Sequence, residues 1–135
     1  MNKVRTGIMG CTGLVGQQFV RMLRGHPYFE VVALTASKLS AGKKYEDAVD
    51  LLLEDYVPEY ARNIVVEETS ARNLQKNKVK VVFSGLPSQV AKTIESDLAD
   101  KGICVFSNAS AHRMNSEVPV LIPEVNPDHL ELVRS

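Results

Sequence analysis

Gly7-Ile-Met-Gly10-Cys-Thr-Gly13-Leu-Val-Gly16 is the stretch that decides the fold of this chain. An apolar run from Val4 to Met9 leads into it and reads as a strand. Beyond it, Val15, Phe19, Met22 and Leu23 recur at the spacing of one helix face, which predicts a helix from about Gly13 to Arg24. Gly25 then supplies a left-handed stop. Between a strand and a helix, each glycine answers a geometric demand. Gly10 permits a tight turn, Gly13 lets the backbone come close to a diphosphate, and Gly16 lets the helix pack on the sheet. The amides from Thr12 through Gly13 and Leu14 to Val15 would face phosphate at the positive end of the helix dipole. The spacing is G-x-x-G-x-x-G rather than the commoner G-x-G-x-x-G, but the physical demands are the same. Dinucleotide binding is the reading this context supports; a plain turn before a helix is the alternative.

Working outward, short apolar runs alternate with amphipathic stretches, the pattern of βαβ units. The expected fold is α/β: a Rossmann-type, doubly wound, mostly parallel sheet in three αβα layers, with residues 1–135 forming one NAD(P)-binding domain. Further strands are expected at Glu30 to Thr35, Ile64 to Val66, Val79 to Ser84, Ile103 to Phe106 and Val120 to Ile122. Glu46 to Leu53 reads as a short helix. A longer helix is expected to start at Pro87 and to bury Val90, Ala91, Ile94 and Leu98. Asn126-Pro127-Asp128 reads as the opening of another.

Composition excludes several classes. The 135 residues carry 16 basic and 16 acidic side chains, so no clustered positive face points to nucleic acid. No stretch approaches the roughly 18 apolar residues of a membrane span. The opening apolar run is too short for a signal peptide. Cys11 and Cys104 stand far apart, with no zinc-site spacing, and fit a reducing, cytoplasmic compartment. No metal site is expected. Cys11 reads as a small loop filler and Cys104 as an inert residue in a buried strand. His26 and His129 read as surface positions. No nucleophile–base pair is assignable, so no catalytic residue is expected in this chain.

An acid about 20 residues beyond the glycines usually holds the ribose 2′-hydroxyl of NAD. The corresponding stretch, Leu34 to Lys44, contains no acid. It offers hydroxyls at Thr35, Ser37 and Ser40 and ammonium groups at Lys38, Lys43 and Lys44. These suit the 2′-phosphate of NADP; on charge alone a solvated basic loop reads equally well. Phe83-Ser84-Gly85-Leu86-Pro87-Ser88 sits where a parallel strand passes into a helix, and its small residues leave room for a cofactor. Ser107-Asn108-Ala109-Ser110-Ala111-His112-Arg113-Met114 puts an amide, hydroxyls, an imidazole and a guanidinium on one loop. By chemistry alone, Arg113 is a surface ion-pair residue or a fork for phosphate or carboxylate.

Three stretches carry a family resemblance over essentially the whole chain. Gly10-Cys-Thr-Gly13-Leu-Val-Gly16-Gln-Gln-Phe19 and Ser37-Lys-Leu-Ser40-Ala-Gly-Lys-Lys-Tyr45 resemble the cofactor loops of aspartate-semialdehyde dehydrogenases. So does Ser107-Asn-Ala-Ser-Ala-His-Arg-Met114 with Val118-Pro-Val-Leu-Ile-Pro-Glu-Val-Asn-Pro-Asp-His129, the most specific of the three. The archaeal and fungal branch is the nearest. The resemblance implies NADPH-dependent reduction of aspartyl phosphate to aspartate semialdehyde, toward lysine, threonine and methionine. It implies pyrophosphate contacts from Thr12 to Val15, 2′-phosphate contacts from Ser37 and Ser40, and Gly85, Leu86 and Asn108 along the cofactor. It also implies that Arg113 binds the substrate phosphate.

The family's nucleophilic cysteine lies in an Asn-Cys motif downstream of the Pro-Glu-Val-Asn stretch, and no match to it occurs before Ser135. Its acid/base histidine and most of its substrate and dimerisation domain are also unmatched. The expectation is therefore a cofactor-binding portion that is inactive alone, exposes apolar surface, and belongs to a homo-oligomeric enzyme acting on a small molecule. A malonyl-CoA reductase and a non-catalytic NADP-binding module are the competing readings. The Ser107 stretch argues against an N-acetyl-glutamyl-phosphate reductase. A short-chain dehydrogenase needs lysine four residues after a tyrosine, and the residues there are Val32, Val49, Tyr60 and Ile64.

Overall fold

A computed structural model describes residues 2–52, 56–110, 114, 116, 118–120, 124–128 and 131. Among them, five strands form one sheet: β1 (Val4–Met9), β2 (Phe29–Ala36), β3 (Glu67–Glu68), β4 (Val81–Ser84) and β5 (Cys104–Ser107). Their order is β3-β2-β1-β4-β5, and every pair is parallel. Four helices connect them: α1 (Leu14–Met22), α2 (Tyr45–Ala48), α3 (Ala71–Lys76) and α4 (Ser88–Asp100), with a 3-10 turn at Glu59–Ala61. The expected Rossmann-type α/β fold is the one observed. No helix among the described residues is long and apolar enough to cross a membrane.

Parallel strands need crossover connections, and these cover both faces of the sheet. The central strands are buried on both sides accordingly, and neighbouring residues serve opposite faces. Ile8 and Leu34 pack with Val20 and Leu23 around α1, together with Tyr45, Val57 and Val66. Met9, Ala33 and Val82 pack on the other side with Ala71, Leu74 and Leu98 from α3 and α4. Two cores separated by one sheet make the three layers.

The structure corrects several expectations. The third strand is Glu67–Glu68, not Ile64 to Val66; Val65 only bridges Lys44 at a single antiparallel point. The apolar residues at 64 and 66 serve the first core rather than a ladder. The short helix is one turn, Tyr45–Ala48, rather than Glu46 to Leu53, and Tyr45 is buried. Helix α3 escaped the sequence reading because it is short and mostly polar. Its signal was Ser70, whose hydroxyl accepts from the Asn73 amide at 3.1 Å. Pro87 stands at the cap of α4 rather than inside it. That helix buries Ala91, Glu95 and Leu98, while Val90 is exposed and Ile94 half-buried, so its seam runs one position from the expected one. Cys104 is exposed, because among the described residues β5 is the outermost strand and α4 covers only its other face. Most of the expected Val120 to Ile122 strand, the full extent of the helix beyond Asn126, and His129 lie outside the described residues.

Candidate functional site

All five strands run the same way, so the loops that follow them gather along one sheet edge. Backbone hydrogen bonds stitch those loops together beyond the strands. The Cys11 amide donates to Thr35 O (3.1 Å), the Gly85 amide to Met9 O (3.0 Å), and the Asn108 amide to Ser84 O (3.0 Å). The chain leaves β1 toward β2 on one side and later returns to place β4 on the other. The loops after β1 and β4 therefore flank the switch point, where open α/β sheets form a crevice.

Within the first loop the three glycines differ in what they do. Gly10 has φ +69°, and a Cβ there would lie 3.0 Å from Gly85 O, so both backbone conformation and the neighbouring loop exclude a side chain. A Cβ on Gly16 would lie 2.0 Å from Gly10 O and 2.7 Å from the Cys11 Cα, so α1 is seated directly on the loop. Gly13 is unlike both. Its nearest neighbour to a built Cβ is Gly10 O at 3.7 Å, ordinary contact, and the residue is exposed. The packing of the chain itself does not demand glycine there; the open space lies on the outer side of the loop.

The loop's polarity is fixed from within. Gly10 O accepts from the Gly13 amide (3.2 Å) and Gly13 O from the Gln17 amide (2.9 Å). Cys11 O accepts from the Tyr45 hydroxyl (2.8 Å) and Thr12 O from the Gln17 side-chain amide (2.9 Å). All four carbonyls from Gly10 to Gly13 are thereby occupied. The amides of Leu14, Val15 and Gly16 open α1, where no intrahelical carbonyl reaches them. No side chain caps this helix and no acid stands in its first turn. Its positive end is thus open to an anion, an effect worth about 0.3–1 kcal/mol for an exposed charge. A diphosphate bridge, which only accepts hydrogen bonds, fits these donors. Sequence reasoning missed Gln17 and Tyr45. Their contacts span 33 and 34 positions, and no sequence signal marks them.

Ser37 directly follows β2. Its carbonyl accepts from the Ser40 and Ala41 amides at 3.1 and 3.2 Å, which folds the segment into a turn. The far end of the turn is pinned by Gly42 N to Val66 O (2.7 Å) and Val66 N to Lys43 O (2.8 Å). Ser37, Lys38, Lys43 and Lys44 are exposed and Ser40 half-buried. The acids nearest in register stand on β3: Glu67 opposite Thr35 and Glu68 opposite Ala36. Partial burial pushes the Glu67 carboxyl up, but hydrogen bonds from Lys76 and Asn77 outweigh it and hold it below its ordinary value.

Gly85 lies against Gly16 and Val15, and Leu86 is half-buried against the second core. Asn108 is exposed just past β5. Its loop is clamped by α4: the Ser107 hydroxyl donates to the buried Glu95 carboxylate (2.7 Å) and accepts from the Ala109 amide (3.0 Å), while the Ser88 and Ser110 hydroxyls meet at 2.7 Å. The structure thus brings Gly10, Thr12, Gly13, Leu14, Val15, Ser37, Ser40, Gly85, Leu86 and Asn108 to one edge. Arg113 lies outside the described residues. Cys11 is fully buried, and burial pushes its thiol up to about 12, the opposite of what a nucleophile needs. His26 is half-buried, with its Nδ1 accepting from the Tyr28 amide at 3.1 Å.

Comparisons with known proteins place the chain in a family. The family model "Semialdehyde dehydrogenase, NAD binding domain" matches residues 5–133. An aspartate-semialdehyde dehydrogenase of Archaeoglobus fulgidus is 43% identical over 94% of this chain. A malonyl CoA reductase (NADP) of Metallosphaera sedula is 38% identical over 96%. A crystal structure of aspartate semialdehyde dehydrogenase with NADP from Candida albicans superposes with a TM-score of 0.89 at 42% identity, covering 96% of this chain. The chain spans 36% of the length of the Archaeoglobus protein and 36% of the Candida chain.

Proposed function

This chain belongs to the family of semialdehyde dehydrogenase NAD-binding domains, and from that premise we propose that it is the NADP-binding portion of an aspartate-semialdehyde dehydrogenase. The observation that carries the reading is the polarity of the glycine loop, with its carbonyls tied inward and its helix-opening amides free to take a diphosphate. Thr12, Gly13, Leu14 and Val15 hold that bridge, with Gly10 shaping the turn. Ser37 and Ser40, with the lysines of the same turn, take the 2′-phosphate. Gly85, Leu86 and Asn108 line the course of the cofactor toward the substrate. These residues would hold the dinucleotide, whose nicotinamide would supply hydride to the thioester formed when a thiolate elsewhere in the enzyme displaces phosphate from the acyl phosphate. Arg113 holds the substrate phosphate. Cys11 is sealed and Cys104 stands at the start of β5, at the opposite end from the loops, so the nucleophile is assigned outside these residues, as are the acid/base histidine and the dimer contacts of a homo-oligomeric, cytoplasmic enzyme. The Archaeoglobus fulgidus and Candida albicans aspartate-semialdehyde dehydrogenases match at 43% and 42% identity against 38% for the malonyl CoA reductase, and the proposed substrate follows them.

Calorimetric titration with NADP and NAD tests the reading. A hydrogen bond to a charged group contributes about 1.5–3 kcal/mol, so NADP is expected to bind about tenfold tighter or more. Ser37→Asp places a like charge beside the 2′-phosphate; it is expected to abolish that preference while leaving NAD affinity within about threefold. Equal affinity of the unaltered chain for both dinucleotides contradicts the 2′-phosphate assignment.

A further inference from the structure

A glycine-rich loop has little intrinsic preference among peptide orientations. A trans peptide points its N–H opposite to its C=O. Whatever holds a carbonyl of this loop therefore also aims the next amide. The Tyr45 hydroxyl holds Cys11 O and so aims the Thr12 amide away from the core; the Gln17 side chain holds Thr12 O. Gln17 is itself fixed at every polar atom: its Nε2 also donates to Asp50 O (2.9 Å), and its Oε1 accepts from the Leu52 amide (2.9 Å). Tyr45 is equally fixed. Its ring is 1% exposed, and its amide donates to Ile64 O (2.9 Å) directly after Lys43 and Lys44. Tyr45 thus joins the end of the Ser37 turn to the glycine loop.

We propose that Tyr45 and Gln17 are positioning residues that set the polarity of the glycine loop for a diphosphate, a role that rests on the cofactor reading above. Without the Tyr45 hydroxyl, Cys11 O has no side-chain donor and the Cys11–Thr12 peptide is free to rotate its carbonyl toward the ligand. An acceptor facing an acceptor then replaces a donor.

Tyr60 provides the control. Its hydroxyl also donates to a carbonyl of α1, Val20 O at 2.6 Å, but in the last turn of the helix, at the end away from the loop. In NADP titrations at a temperature where circular dichroism shows each variant folded, Tyr45→Phe is expected to weaken binding about tenfold and Tyr60→Phe less than about twofold. Gln17→Met, which retains much of the buried volume, is expected to weaken binding as Tyr45→Phe does and serves if the latter does not fold. Wild-type affinity in Tyr45→Phe, or an equal loss in Tyr60→Phe, overturns the proposal and reduces both tyrosines to structural roles. A wild-type chain that binds neither NADP nor NAD overturns the cofactor reading itself, and the proposal with it.

Discussion

Gly16→Ala is expected to destabilise the fold severely and to abolish NADP binding. The added methyl would lie 2.0 Å from Gly10 O and 2.7 Å from both the Gly10 carbonyl carbon and the Cys11 Cα. All three are backbone, so no side chain can swing aside. Relief requires lifting the start of α1 off the loop, which breaks the packing of Val20 and Leu23 in the first core and misplaces the amides of Leu14 and Val15. Strain of this kind costs about 4 kcal/mol or more, against a total stability of about 5–15 kcal/mol for a domain. Thermal unfolding followed by circular dichroism is expected to show a midpoint at least about 10 °C lower. Gly13→Ala is the counterpart. Its methyl meets only Gly10 O at 3.7 Å, and the residue's φ of −77° suits alanine, so the fold survives while NADP binding is lost. A Gly16→Ala protein that melts within a few degrees of wild type contradicts the seating of α1.

The second large effect is alkaline unfolding. Burial pushes the Cys11 thiol from its ordinary value of 9.0 up to about 12. Burial also pushes the Tyr45 hydroxyl up from 10.0, helped by Cys11 and Tyr60, and burial pushes Tyr60 up likewise. Each group stays protonated in the folded chain while the unfolded chain has begun to release its proton. The unfolded state therefore binds fewer protons, and stability falls as pH rises. The loss is about 1.4 kcal/mol per pH unit for each group. It starts near pH 9 with Cys11, and the tyrosines join near pH 10. By pH 11 the three together remove roughly 5 kcal/mol, comparable with the whole stability of many domains. Urea unfolding at pH 8, 9, 10 and 11 is expected to show stability level to about pH 9 and falling steeply beyond. A flat profile to pH 11 means that these groups are not sealed in the folded state.

What the sequence made legible is what is encoded locally. β1, the glycine turn, α1 and β2 occupy 33 consecutive positions, Val4 to Ala36, where apolar period, glycine placement and helix stop all agree. The same holds for β4 passing into α4. The readings failed where tertiary packing decided. Ile64 and Val66 are apolar because they line a core beside Tyr45, and the strand itself is the two glutamates that follow. Cys104 reads as buried until β5 is known to be the outermost of the described strands. The proposed cofactor positions were read from the loops that follow β1, β2, β4 and β5 and from the start of α1, which the structure gathers along one sheet edge. The residues that orient them, Tyr45 and Gln17, were not: the Tyr45 hydroxyl crosses 34 positions to reach Cys11, and the Gln17 amide crosses 33 to reach Asp50. Sequence spacing carries no trace of such contacts. Glu95 lay off the expected Val90–Leu98 seam, and neither its burial nor its partner Ser107 was legible.

Resonance assignment of the 15N-labelled chain followed by titration with NADP tests the account at its centre. The amides of Leu14, Val15 and Gly16 are expected to show the largest shifts, saturating together with those of Ser37 and Ser40. Saturable binding that leaves the three helix-opening amides unmoved while resonances elsewhere shift would place the dinucleotide somewhere other than the mouth of α1.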